Sequence, residues 1–242
     1  MKILYVFPHP DDESFGPAPA MARQVREGHE VHLLTLTRGG ATKERHRLGL
    51  SVEEMGEVRL NEMRCVERTL GLAGMTVLDF TDSGLKEEDP INLEDAVRRE
   101  VTRVHPHVLV TYAVHGISGF HDHLVTHAVV KRLWSALRRE GASAPQRLAF
   151  FTFPESADLE SGPHRLQASR DEEIDCRIPL EDRDLEAGRK ALDCYRTYAE
   201  MIRQARPLER MGSEVCFEFF RETFAPPLTD FTADLGEGDG RS

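Results

Sequence analysis

The segment His9-Pro10-Asp11-Asp12-Glu13 places an imidazole beside carboxylates, a donor set suited to a catalytic zinc ion that takes three protein ligands and leaves a fourth position for water. His9 and Asp12 supply two of those ligands. Asp11 lies between them as a carboxylate that need not bind the metal, the placement wanted of a general base for activated water. A plainer reading of the same string is an acidic turn in which an aspartate caps a helix, and Glu13 has no role beyond that turn or helix start. A second cluster, His115-Gly116-Ile117-Ser118-Gly119-Phe120-His121-Asp122-His123, is followed by His127. Its histidines offer the third ligand, and Gly116 and Gly119 allow close backbone approach. Solvated histidine loops also occur without a metal.

The chemistry requires both clusters at one place, and the hydrophobic pattern provides it. Residues 2–7 (KILYVF) form an apolar run stopped by Pro8, the pattern of a strand buried on both faces. A helix over 17–28 ending at Gly28 and a strand over 30–37 complete one βαβ unit. The alternation continues with helices near 53–71, 93–104 and 122–140 and strands over 76–80, 107–112 and 147–153. This predicts an α/β fold: a doubly wound, mostly parallel, Rossmann-like sheet in a single domain over 1–225. Ligands of such sheets gather at the carboxyl ends of the strands. His9 follows the first strand and His115 the strand ending at 112, so the clusters share that edge. Beyond Pro154 the sequence turns polar and acidic, which predicts a long pocket loop over 155–178, a helix over 182–204 and a late strand within 214–224. The tail 226–242, ending GEGDGRS, is expected to be flexible.

The chain has 242 residues and a formal charge of -11, which argues against nucleic acid as a partner. The N-terminal apolar run is too short for a signal peptide or a membrane span. Four scattered cysteines without a CxxC pair fit a reduced, cytoplasmic compartment. Neither GxGxxG nor GxxxxGK[ST] follows a strand, and no GxSxG elbow is present, which argues against nucleotide and serine-hydrolase chemistry. The expected partner is a small molecule; oligomeric state is not visible, and a homo-oligomer is compatible with the sequence.

HPDDESFG (9–16), LTLTRGG (34–40), EVRLNEMRCVERTLG (57–71), GISGFHDH (116–123) and, more faintly, KALDCYRT (190–197) resemble the LmbE-like, PIG-L-type N-acetylglucosaminyl deacetylases, which include deacetylases of mycothiol and bacillithiol biosynthesis. The resemblance implies a zinc-dependent amidohydrolase that removes acetyl from an N-acetylglucosamine-type conjugate. It implies zinc ligands His9, Asp12 and His123, and Asp11 as base. Arg59, in Arg-x-x-Glu with Glu62, would contact the sugar, and Thr37 and Arg38 would line the pocket. Arg59 and Glu62 also read as an i,i+3 ion pair on a helix surface. One departure matters: the family pattern is His-x-Asp-His, and Phe120 stands at its first position. His121, with Asp122 beside it, or His115 would then supply the proton. The alternative is a metal- and sugar-binding protein with weak or no catalysis. Tyr195 and Tyr198 stand where the resemblance leads one to expect His and Gln.

Overall fold

The apolar runs become the centre of a seven-stranded sheet in the computed structural model, which describes residues 1–142, 145–157, 159 and 165–236. The strands are β1 (Lys2–Phe7), β2 (Glu30–Thr37), β3 (Gly74–Phe80), β4 (Val108–Tyr112), β5 (Arg147–Thr152), β6 (Cys176–Pro179) and β7 (Glu214–Phe219), in the order β3-β2-β1-β4-β5-β7-β6. The first five pair in parallel, while β7 runs antiparallel to both β5 and β6. The helices are α1 (Asp12–Phe15), α2 (Ala18–Arg26), α3 (Glu44–Leu48), α4 (Val52–Leu70), α5 (Pro90–Val104), α6 (His121–Arg139), α7 (Asp182–Cys194), α8 (Ala199–Ala205) and α9 (Pro207–Met211).

Alternation along β1 splits the core. Ile3, Tyr5 and Phe7 join Met21, Met63 and Ala191 on one face, whereas Leu4 and Val6 join Val97 and Leu133 on the other. Helices therefore cover both faces, as expected of a doubly wound single domain. Helix α4 begins where Ser51 and Glu54 form a reciprocal capping box and ends at left-handed Gly71. The chain leaves β1 toward β2 and β3 and later returns to β4 on the other side of β1. The two clusters thus meet at the point where strand order reverses.

Four expectations change. The helix predicted over 182–204 breaks after Cys194 into a 3-10 turn at Arg196–Tyr198 before α8 resumes. The loop 155–178 contains the start of β6, held by β7, and its residues 158 and 160–164 lie outside the described residues. The tail is packed as far as 236: Phe231 is fully buried, and buried Arg147 donates to the Phe231 and Ala233 carbonyls at 2.7 and 3.0 Å while pairing with Glu222 at 2.8 Å. Leu228 and Leu235 pack on the core beside Phe231, but three apolar side chains among Pro, Thr, Asp and Gly are too short a pattern to announce it; residues 237–242 lie outside the described residues.

The fourth change concerns the cysteines, which were expected to be reduced. Cys65 of α4 and Cys194 of α7 form a disulfide across 129 residues of sequence, while Cys176 and Cys216 are free and buried. Linear spacing carries no sign of a pair that the packing of α4 on α7 creates. Thiol titration of denatured, non-reduced protein is expected to find the two free thiols of Cys176 and Cys216, rising to four after reduction. No helix among the described residues is long and apolar enough to cross a membrane.

Candidate active site

A cavity of about 250 Å³ opens at the carboxyl edge of the sheet, and His9, Asp11, Asp12, Arg59 and His123 all reach it. His9, Asp12 and His123 bring one ligand atom each within 4.8 Å of one another. The hydrogen-bond pattern assigns their tautomers. His123 Nδ1 lies 2.9 Å from the Gly116 carbonyl, so it carries the proton and Nε2 turns a lone pair toward Asp12 Oδ1 at 3.3 Å. His9 Nε2 lies 3.1 Å from Asp122 Oδ2 and 3.4 Å from Asp82 Oδ1, which leaves Nδ1 facing Asp12 Oδ2 at 3.6 Å. With both imidazoles neutral, lone pairs converge on the Asp12 carboxylate, an arrangement that a cation satisfies. Burial keeps the His123 imidazole below its usual pKa. Burial alone would lower His9 too, but the bond to Asp122 and the charges of Asp12 and Asp82 overcome it and raise that imidazole to about 9. The surroundings favour positive charge, and the residues fit a divalent metal.

Asp11 adopts φ 87, the left-handed region that few residues other than glycine enter. That turn sends the Asp11 and Asp12 side chains different ways. The Asp12 carboxylate accepts from His9 N at 2.8 Å and Tyr112 Oη at 2.7 Å, while Asp11 Oδ2 accepts from Arg59 Nη2 at 2.7 Å. Burial raises the Asp11 carboxyl and the Arg59 charge pulls it back, leaving it at about 6. Arg59 itself is buried; it donates to the Pro10 carbonyl at 2.6 Å and packs its guanidinium 4.2 Å from the centroid of the Tyr198 ring. Glu62 does not pair with Arg59. Its carboxylate instead accepts from Thr197 N and Oγ1, both at 2.8 Å, which fixes the 3-10 turn bearing Tyr198. Glu13, without a role in the sequence, accepts from Tyr195 Oη and Ser14 Oγ, both at 2.7 Å, and burial raises its carboxyl to about 7.

Other expected site residues fall elsewhere. Thr37 is fully buried and donates to the Pro8 carbonyl at 2.9 Å, so it braces the turn rather than lining the cavity. Arg38 pairs with Glu57 of α4 outside the cavity wall. Asp122 reaches His9 and is held by Leu85 N at 3.1 Å, so it orients the His9 imidazole. His121 is exposed and lines not the main cavity but an adjoining recess, which shares His9, Ser83 and Phe120 with it. His115 lies 3.3 Å from both Ser169 Oγ and Thr152 Oγ1. Phe120 lines the cavity edge-on to His123 at 5.6 Å between ring centroids. Residues absent from the expectation are Asp82, Tyr112 and Thr42 on the cavity wall. The first two were within reach of sequence reasoning, because Asp82 follows β3 and Tyr112 ends β4 at the ligand-gathering edge.

The family model of PIG-L, the GlcNAc-PI de-N-acetylases, matches residues 4–134, a span holding all three ligand candidates together with Asp11 and Arg59. The chain belongs to the PIG-L family. Among relatives of this PIG-L member, the 1D-myo-inositol 2-acetamido-2-deoxy-alpha-D-glucopyranoside deacetylase of Rhodococcus opacus is 28% identical over 68% of this chain and 65% of its own length. The mycothiol S-conjugate amidase of Streptomyces coelicolor is 34% identical over 53% of this chain and 50% of its own. The chain therefore spans about half to two thirds of the length of the curated relatives it matches. The zinc-inhibited teicoplanin deacetylase shares the fold with a TM-score of 0.69 at 13% identity, covering 92% of this chain and 99% of that one. The 4-carboxy-2-hydroxymuconate hydratase of Pseudomonas putida does so with a TM-score of 0.69 at 12% identity, covering 92% and 98%. One fold thus carries a deacetylase and a hydratase, and the reaction must be argued from side chains.

A metal ion held by this donor set would be measurable by its effect on stability. Zinc at a hundredfold excess over its dissociation constant is expected to stabilise the folded protein by about 2.7 kcal/mol, seen as a rise in Tm over EDTA-treated protein. Asp12→Ala is expected to abolish the rise.

Proposed function

We propose that this PIG-L family member is a zinc-dependent hydrolase that removes the N-acetyl group from a glucosamine-type small-molecule conjugate. The observation that carries the reading is the pairing of Asp11, held by Arg59, with a ligand set of His9, Asp12 and His123 in one cavity. Relatives whose names denote deacetylase and amidase action support amide hydrolysis. A divalent metal held by the three ligands would supply Lewis-acid activation of water and of the amide carbonyl.

The chain's own residues account for the rest. Asp11, with its carboxyl near 6, is ionised at neutral pH and accepts the proton of the attacking water. Phe120 has no proton to give, and His121 is exposed in the adjoining recess, not on the main cavity wall where Asp11 stands. Asp11 therefore also returns the proton to the leaving sugar nitrogen as the tetrahedral species collapses. Arg59 keeps Asp11 aimed and charged, while Asp122 holds His9 in the tautomer that offers Nδ1. Tyr198, Thr42 and Asp82 present hydrogen-bonding groups to the sugar from the same wall. Amine release from a panel of N-acetylglucosaminides, with zinc added and metal content measured, tests the reading. Free amine in proportion to bound zinc is the expected result. Stoichiometric zinc and sugar binding without amine release would instead favour a binding protein, the outcome that Phe120 motivates.

A further inference from the structure

The sheet order sorts the cavity wall into two chemically different halves. Ligands come from β1 and β4 at the centre. On the β2 and β3 side lie Thr42, Asp82 and Ser83, together with Arg59 of α4 and the Tyr198 ring packed on it. On the β5 side the wall is Phe151, Phe153 and Leu166, joined by Phe15 and Gly16 from the end of α1. Phe151 and Phe153 pack edge to face at 5.4 Å between centroids, and both are buried. Gly16 lies so close that a Cβ there would meet Phe151 at 2.7 Å, so its lack of a side chain keeps this half open. Arg210 also reaches the cavity, and it interacts within the protein.

The position of the base decides which end of the substrate meets which half. Asp11 is bound to Arg59 and so belongs to the polar half. The group that returns a proton to the leaving nitrogen must stand beside that nitrogen. The amine and its sugar hydroxyls then occupy the polar half, and the acyl carbon's substituent points across the ligands toward Phe151, Phe153 and Leu166. A methyl group leaves most of such an aromatic and aliphatic wall uncovered, and each methylene added there removes further apolar surface from water.

We infer that the β5 half of the cavity is an acyl-chain subsite, and that the preferred substrate class is N-acylglucosamine conjugates whose acyl group is longer than acetyl. The inference rests on the proposed amide hydrolysis and extends its acyl group from acetyl, which remains a slower substrate, to longer chains. Bound methylenes contribute about fourfold each where they are fully buried. For zinc-loaded protein, kcat/KM is expected to climb from N-acetyl through N-butyryl to N-hexanoyl glucosaminides of one aglycone, by about tenfold or more over the series.

The test measures amine release along that series, with an octyl N-acetylglucosaminide as a parallel arm and Leu166→Asp as the variant. Leu166 is only partly buried at the rim of the subsite, so the substitution is compatible with folding, which circular dichroism verifies. Leu166→Asp is expected to collapse the hexanoyl-to-acetyl ratio of kcat/KM toward one. Amine release that is flat or falls with acyl length overturns the inference and leaves deacetylation standing. A gain for the octyl aglycone with none for the longer acyl group also overturns it, because the orientation is then reversed. No amine from any substrate, with zinc bound and the fold intact, overturns the hydrolase reading itself and the subsite with it.

Discussion

Asp11→Asn is expected to retain zinc at the wild-type stoichiometry and to lose about 10²- to 10⁴-fold in kcat, the range typical of removing a positioned general acid-base group. Asparagine keeps the shape and can still meet Arg59 through its oxygen, so the loss is of proton transfer and not of the fold. The pH profile checks the same assignment. Burial lifts the Asp11 carboxyl and Arg59 restrains it, leaving it at about 6. Below that value the carboxyl is protonated and cannot accept a proton from water, so kcat/KM falls with falling pH along an acid limb. A cation in the adjacent ligand set favours the carboxylate further, which places the limb of the zinc-loaded enzyme at or below pH 6. Full activity in Asp11→Asn, or an unchanged rate down to pH 4, would remove Asp11 from its role.

Arg59→Leu is expected to have the second large effect, on stability as well as turnover. The Arg59 side chain is 3% exposed and Asp11 is 16% exposed, so truncation strands a carboxylate away from water without its counter-charge. Breaking a buried pair in this way costs about 3–5 kcal/mol. The sign with pH follows from the direction of the shift: burial remains, the restraining cation is gone, and the folded-state pKa of Asp11 rises. A carboxyl raised in the folded state favours the fold at low pH and loses that contribution as pH rises through its folded pKa. The variant is therefore expected to lose more stability at pH 8 than at pH 5, and its acid limb to move above pH 6. Denaturant melts at the two pH values measure the first, and a pH-rate profile the second. Arg59→Lys is expected to restore much of the stability but not the packing on Tyr198, because an ammonium lacks the planar face of a guanidinium.

Much of this molecule follows from local pattern. The parallel strands with their intervening helices were legible because a strand buried on both faces is a short apolar run and an amphipathic helix repeats near every third and fourth residue. His9 and Asp12 were legible as candidate donors because they follow such a run directly; the glycine-flanked cluster after another run offered several histidines as a third, and it was the family resemblance that singled out His123. The pocket loop was harder. Strand β6 pairs with β7 through residues as much as 41 apart, Cys176 against Phe217, and a four-residue edge strand has too little pattern to announce itself.

What the sequence by itself determined, then, is the residue chemistry and the edge of the sheet at which it gathers, since both depend on order along the chain. Tertiary structure decided the division of labour among those residues. It pairs Arg59 with Asp11 rather than with Glu62, turns Asp122 toward His9, leaves His121 in a recess beside the main cavity, and gives Glu13 a tether to Tyr195 across 182 residues. Each of these depends on which side chains lose water together when helices close over the sheet. Burial sets the cost of an unpaired charge, and packing sets which partner is near enough to offset it.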